Sequence, residues 1–352
     1  MDLDRYCDDL ESRIDESVER DLTEQWKRFC RLDWHEPIFC PGRPAPIPPG
    51  IDWPHVPVNH TLDDFDRMAL QQLGAASGLL ANAGGDLLMV RCNYGTPIMA
   101  TLFGCELFVM PESTDTLPAP HPVPGGADAM RAILDRGEVD LGQPYLQKVF
   151  EMGRRFMDIK ARYPKIGRWV HLYHPDLQGP FDIFEMVFGS EIFMALMDEP
   201  DLVHQVLELI TRTYLQVIEQ WRQIAPLTVD EGFGLHWGLM HRGAVMLRDD
   251  SAMNLSPQMF DQFIRPYEQR VLDAVGGGAM HACGRVEHFV DRLPDMPGLS
   301  AFNMSQPQLN DVEQVYRHTL DRGIVLIGLD GAAARASLAA GRDLKGRVHT
   351  RA

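Results

Sequence analysis

His281 and Cys283 stand two residues apart in "GGGAMHACGRVEHF", which runs from Gly276 to Phe289. In an extended segment, residues i and i+2 point to the same face. An imidazole nitrogen and a thiol sulfur can therefore converge on one ion at the end of a strand. Zinc favours such N and S donors, and catalytic zinc takes three protein ligands plus an open position. Alternatively, a small cysteine packs in the core and the histidine is incidental. A third ligand has to come from elsewhere. His349 in "GRVHT" is the first candidate, and Asp330 at the end of "IVLIGLD" is the second.

Other residues with chemical potential follow apolar runs. "RDDSAMNLSP" places Asp249 and Asp250 at a strand end, one facing the strand's open end and the other its wall, as acid, base or metal ligand. "HPDLQGPFD" supplies His174, Asp176, Gln178 and Asp182 around a Gly-Pro turn, and "RCNYGT" supplies Arg91, Asn93 and Tyr94. Asp176 joins the two aspartates as a catalytic candidate. Asn93, Tyr94, Gln178, His174, Arg91 and His236 are substrate-binding candidates. In "HWGLMHRG", His236 and His241 lie five apart, which does not fit the HExxH spacing, so a structural role is the simpler reading for both. No P-loop, GxGxxG fingerprint or GxSxG elbow is present.

The elements that must position these residues alternate. "DLLMVRCNYG", "RWVHLY", "GAVMLRDDS", "AMHACG", "LSAFNMS" and "GIVLIGL" read as strands. Helices separate several of them. In "EPDLVHQVLELITRTYLQVIEQWRQI", Val203, Val206, Leu207, Ile210, Tyr214, Val217, Trp221 and Ile224 share one face. "SPQMFDQFIRPYEQRVLDAVGGG" starts at a Ser256 cap and stops at glycines, with a kink expected at Pro266. Strand-helix alternation predicts an α/β fold with a parallel sheet whose strand ends form the active face. Residues 1–60 read as a helical N-terminal extension plus a connector with seven prolines between Pro41 and Pro57. Thr61 is expected to cap the next helix, and 61–352 to form the main domain.

Composition narrows the function. The 352 residues are 45% hydrophobic and 24% charged, with a formal net charge of −17. That acidity argues against a nucleic-acid partner, which needs clustered Lys and Arg. No apolar run approaches a membrane span, the acidic start lacks a signal-peptide pattern, and six scattered cysteines show no CxxC. A cytoplasmic protein with free thiols is expected.

"DDSAMNLSPQMFDQFIRPYEQRVLDAVGGGAMHACG" resembles the uroporphyrinogen decarboxylase superfamily, in which an acidic strand end leads to a Ser-Pro-x-x-Phe helix and then to a Gly-Gly…His-x-Cys-Gly strand. "DLQGPFDI", "DEPDLVHQVLELIT" and "NYGTPIMATLFG" fit the same relatives. The resemblance implies a (β/α)8 TIM barrel with the helical N-terminal region added. The Arg-Gln-Ala-Gly-Arg-Tyr segment of true uroporphyrinogen decarboxylases is missing. The zinc-dependent corrinoid methyltransferases of the superfamily use His-x-Cys with a distant Cys. His281 and Cys283 match the pair, but no cysteine follows Cys283. The resemblance thus implies a zinc-assisted methyltransferase, moving a methyl group between a corrinoid (cobalamin) and a thiol or similar acceptor, with an altered third ligand. A small-molecule substrate, a corrinoid protein and a homodimer are the expected partners. Two other readings remain open: a metal-independent decarboxylase, with Asp249 or Asp250 and Arg91 or Arg248 acting on a carboxylated substrate, and a non-catalytic corrinoid-binding barrel.

Overall fold

The computed structural model describes residues 2–351. Eight short parallel strands carry the architecture. They are β1 (Ile38–Phe39), β2 (Met89–Val90), β3 (His171–Leu172), β4 (Val245–Arg248), β5 (Gly278–Ala282), β6 (Leu299–Met304), β7 (Val325–Leu329) and β8 (Val348–Thr350). Six form one parallel ladder in the order β1-β8-β7-β6-β5-β4, and β2 pairs with β3 in a second. The expected strands are all present. β1 adds one that lies before residue 60, pairing Phe39 with His349.

Alternation along these strands separates two apolar layers, because successive side chains leave opposite faces. Val245, Leu247, Met280, Phe302 and Leu326 pack against the helices. Met246, Ala279, Ala301, Val325 and Ile327 face inward, onto Trp26 and Phe29 of the helix Glu16–Cys30 and onto Phe39. The acidic N-terminal segment is therefore two helices, Leu3–Arg13 and Glu16–Cys30, the second closing the inner core. Its Glu19 is pinned by a bidentate ion pair to Arg43, both bonds 2.7 Å. This fixes the start of the proline-rich stretch.

An antiparallel hairpin of Phe233–His236 and Leu239–Arg242 fills the remaining inner space. Phe233, Leu235, Leu239 and Met240 belong to the inward-facing cluster. "HWGLMHRG" is the source of its turn. The hairpin leaves through Gly243, which has φ +87°, and a Cβ there would stand 2.1 Å from the Gly277 carbonyl carbon and 2.2 Å from Gly278 N. Backbone cannot yield as a side-chain tip can. Gly243→Ala should cost about 3 kcal/mol or more, read as a lower urea midpoint with an unchanged m-value.

Two local expectations change. The helix Phe65–Ala81 is capped by Asp64, whose carboxylate accepts from Asp66 N and Arg67 N at 3.0 Å. Thr61 instead donates its hydroxyl to Val58 O within a short 3-10 turn. Both caps fit the sequence, and the 3-10 turn takes the threonine. Before Pro266, the helix takes one π-helical turn, Phe260–Ile264. That is how it accommodates a proline, which has no N–H to donate. The helix Pro200–Arg222 buries Val203, Val206, Leu207, Ile210, Tyr214, Val217 and Trp221 as expected; Ile224 lies just past its end. No helix among the described residues is long and apolar enough to cross a membrane.

Candidate metal centre

β5 carries His281, and Cys283 follows just past its end on the same side. Their Nε2 and Sγ atoms are 3.4 Å apart. β4 runs into a 3-10 turn, Asp250–Asn254, which swings the Asp250 side chain toward the neighbouring strand. Asp250 Oδ1 accepts from Cys283 N at 2.9 Å and lies 3.4 Å from His281 Nε2. One oxygen, one nitrogen and one sulfur donor all lie within 4.8 Å of one another.

The neighbouring strand fixes the histidine. β6 pairs His281 with Asn303, whose Oδ1 is 2.5 Å from His281 Nδ1. The amide orientation follows from its other end, where Asn303 Nδ2 donates to Ile327 O at 2.6 Å. Asn303 thus accepts, Nδ1 carries the proton, and Nε2 is turned toward Asp250 and Cys283. A metal-binding histidine needs this second partner to set its tautomer and ring angle. Burial alone would push the His281 pKa down. The hydrogen bonds of Asp250 and Cys283 outweigh it and hold the imidazole up, to about 9. Asp250 responds inversely: burial would raise it, but His281 and Cys283 hold it down, to about 2. A divalent cation between the three would take the place of the imidazole's Nε2 proton. The donor set, one hard and two softer atoms, fits zinc.

The turn that carries Asp250 is held from below. Asp182 accepts from Asp250 N at 2.9 Å, Ser251 N at 2.8 Å and Gln178 Nε2 at 3.3 Å. Burial, with the Asp250 charge added, raises Asp182 to about 7. Asp249 faces the other way, toward Glu268 of the helix Arg265–Val275, and burial pushes both carboxyls well above their usual range. Gly179 lies against both carboxyls. A Cβ there would stand 2.5 Å from Glu268 Oε1 and 2.7 Å from Asp249 Oδ1. The two adjacent aspartates therefore divide as expected, Asp250 to the open side and Asp249 to the wall.

Asp176 is the hub of an ionic array. Arg91 Nη1 reaches its Oδ2 at 2.7 Å, His236 Nε2 lies 3.6 Å from its Oδ1, and Arg248 Nη2 donates to its backbone carbonyl at 2.8 Å. Held this way, Asp176 is a charged anchor for two arginines. Among the substrate-binding candidates, Arg91 is the partly exposed one, at 24% of its side chain. Asn93 donates to Gln71 at 3.0 Å. Tyr94 is fully buried, with Tyr145 donating to its carbonyl. His174 is fully buried and accepts from Met246 N at 3.2 Å, and His236 is fully buried beside it.

His349, the expected third ligand, is not brought to the pair. β8 places its ring against Trp26, 4.4 Å between centroids, and its Nδ1 accepts from Gly328 N at 3.0 Å. Asp330 caps the helix Gly331–Ala339 through Ala333 N. Asp250, read from sequence as catalytic, takes the third corner. Asn303 went unnoticed. Its signal was a lone amide inside the apolar run "LSAFNMS". Asn303→Ala should leave the fold in place and weaken metal binding about 10- to 100-fold, measured by competition with a chromogenic chelator.

Comparison with known proteins bears on the same segment. Residues 238–329 match the family model described as Uroporphyrinogen decarboxylase (URO-D). No curated protein matches. Among solved structures, the chain is similar to a methyltransferase from Methanosarcina mazei, with 18% identity and a TM-score of 0.60 over 84% of this chain and 81% of that one. The match shows the fold, a TIM barrel with a helical N-terminal region.

Proposed function

We propose, from the match of residues 238–329 to the uroporphyrinogen decarboxylase family model, that the chain works as a zinc-assisted methyltransferase of that superfamily, moving a methyl group between a corrinoid and a thiol or similar acceptor. The observation that carries the reading is the convergence of Asp250, His281 and Cys283, with Asn303 setting the histidine's tautomer. Three protein donors leave room for one exogenous ligand. When bound, zinc would supply the positive charge that favours a thiolate over a thiol near neutral pH.

The chain's own groups define the rest. Cys283 Sγ, His281 Nε2 and Asp250 Oδ1 would hold the ion. Asp182 grips the Asp250 and Ser251 amides, so the carboxylate does not drift. In the proposed transfer, the acceptor would give its S–H proton to solvent and its sulfur would take the methyl group, the bonding electron pair staying with the donor. The corrinoid is proposed to arrive on a partner protein.

The test is a zinc-loaded sample mixed with methylcobalamin and 2-mercaptoethanol, followed by loss of the methylcobalamin absorbance. Loss that depends on zinc and is abolished in Asp250→Asn supports the reading. Equal loss in that variant or in the presence of a chelator overturns it. One observation favours a second reading, a lyase acting on a carboxylated substrate. Arg91 is the exposed member of the Asp176 array and could engage a carboxylate. Carbon dioxide release that survives full metal removal would support it.

A further inference from the structure

The hairpin that fills the inner core turns through two residues, Trp237 and Gly238, between His236 and its partner Leu239. Both have positive φ, 52° and 79°. Turns of this kind favour Asn-Gly, because a bulky residue in the left-handed region is strained. A tryptophan here is an uncommon choice. Strain of this sort persists only when the surroundings hold it, and it collects at functional sites. Here the turn is held from two sides. Leu87 N donates to Gly238 O at 2.9 Å, and Arg351 Nη2 donates to Trp237 O at 3.3 Å.

The strained backbone delivers the indole to one place. Its ring stands edge-on to His281, 5.0 Å between centroids at 87°. The Arg248 guanidinium lies 5.6 Å from its centroid, and the His236 ring meets it edge-on, 4.5 Å between centroids at 66°. Trp237 therefore stands between the metal-ligand histidine and the Asp176–Arg248 array, half-buried. Asn303 fixes His281 through Nδ1, and Asp250 and Cys283 lie 3.4 Å from its Nε2. The indole edge meets the face of the ring that these in-plane contacts leave free to tilt.

We propose that Trp237 is a positioning residue of the metal centre, locking the plane of the His281 ring that would hold the ion. The inference rests on the metal reading above.

Cobalt(II) titration of the full-length protein tests it, read by visible absorption and by tryptophan emission. Trp237→Phe keeps an aromatic edge at His281. Trp237→Asn removes the ring but installs the pair this turn prefers, so folding is preserved. Cobalt should quench part of the wild-type emission, and that part should vanish in both variants. Trp237→Phe should hold cobalt within about two-fold of wild type. Trp237→Asn should bind about three- to ten-fold more weakly, the value of an aromatic pair, with a shifted visible band. Wild-type affinity and spectrum in Trp237→Asn, or undiminished quenching in Trp237→Phe, would overturn the inference while leaving the metal reading intact. A wild-type protein that takes up no cobalt would overturn both.

Discussion

Replacing Cys283 by alanine should lower zinc affinity by at least about 100-fold and leave the far-ultraviolet circular dichroism unchanged. The site has three protein donors, and two alone rarely hold zinc tightly. Asp250→Asn should act in the same direction, because the neutral amide removes the charge that faces His281 and the ion. The fold tolerates both changes. Cys283 is half-buried at a strand end and Asp250 sits on a turn that Asp182 holds through backbone amides. The telling control is Asp330→Ala, which should keep its zinc, since that carboxylate only caps a helix. His349→Gln should also keep zinc, although it disturbs an aromatic cluster. Zinc loss in either control, with retention in Asp250→Asn, would mean that the site is assembled differently.

The second large effect concerns acid. His174, His236, His241 and His349 are buried to 1% exposure or less. Burial pushes His174 and His241 down to about 4, His349 to about 3, and His236 well below its usual range. Two of them are also acceptors. His174 Nε2 takes Met246 N and His349 Nδ1 takes Gly328 N, so a proton on either nitrogen breaks a backbone hydrogen bond. The folded protein keeps these rings neutral, whereas the unfolded chain protonates them below about pH 6.5. At these four rings the unfolded state therefore binds more protons between about 6.5 and 4, and their contribution to stability falls as pH falls through that window. Each ring contributes on the order of 1–2 kcal/mol by pH 5. These rings alone lower the urea midpoint between pH 7 and pH 5, while Asp182, Asp249 and Glu268, whose carboxyls burial raises, bind more protons folded than unfolded and offset that fall. The contribution of one ring is isolated in His349→Gln, whose midpoint, measured against its own value at pH 7, should fall less by pH 5 than that of the wild type. An equal change in both proteins would show that His349 takes up its proton in the folded state.

Much of this site was legible in the sequence because its signals are local. The i, i+2 spacing of His281 and Cys283 after a short apolar run specifies a shared face, and the structure gives them that face. Adjacent residues at a strand end leave opposite faces, so one of Asp249 and Asp250 is expected at the open end and the other at the wall, and the sequence does not say which. What eluded the sequence depends on neighbours in space. Asp250 reaches the pair only because β4 lies beside β5 and breaks into a 3-10 turn at the right residue. His349 was preferred on donor chemistry, but one further fact decides it. The helix Glu16–Cys30, more than 300 positions earlier in the chain, brings Trp26 onto its ring. Asn303 could be suspected from its apolar surroundings, though its partner could not. Trp237 gave no signal at all, because nothing about a tryptophan suggests a left-handed turn.

X-ray absorption at the zinc edge, on protein loaded with one equivalent, addresses the central claim most directly. The account predicts a single sulfur at about 2.3 Å, with nitrogen and oxygen neighbours near 2.0–2.2 Å. The sulfur scattering should disappear in Cys283→Ala. A shell without sulfur, or with two or more sulfurs, would contradict a centre built from Asp250, His281 and Cys283.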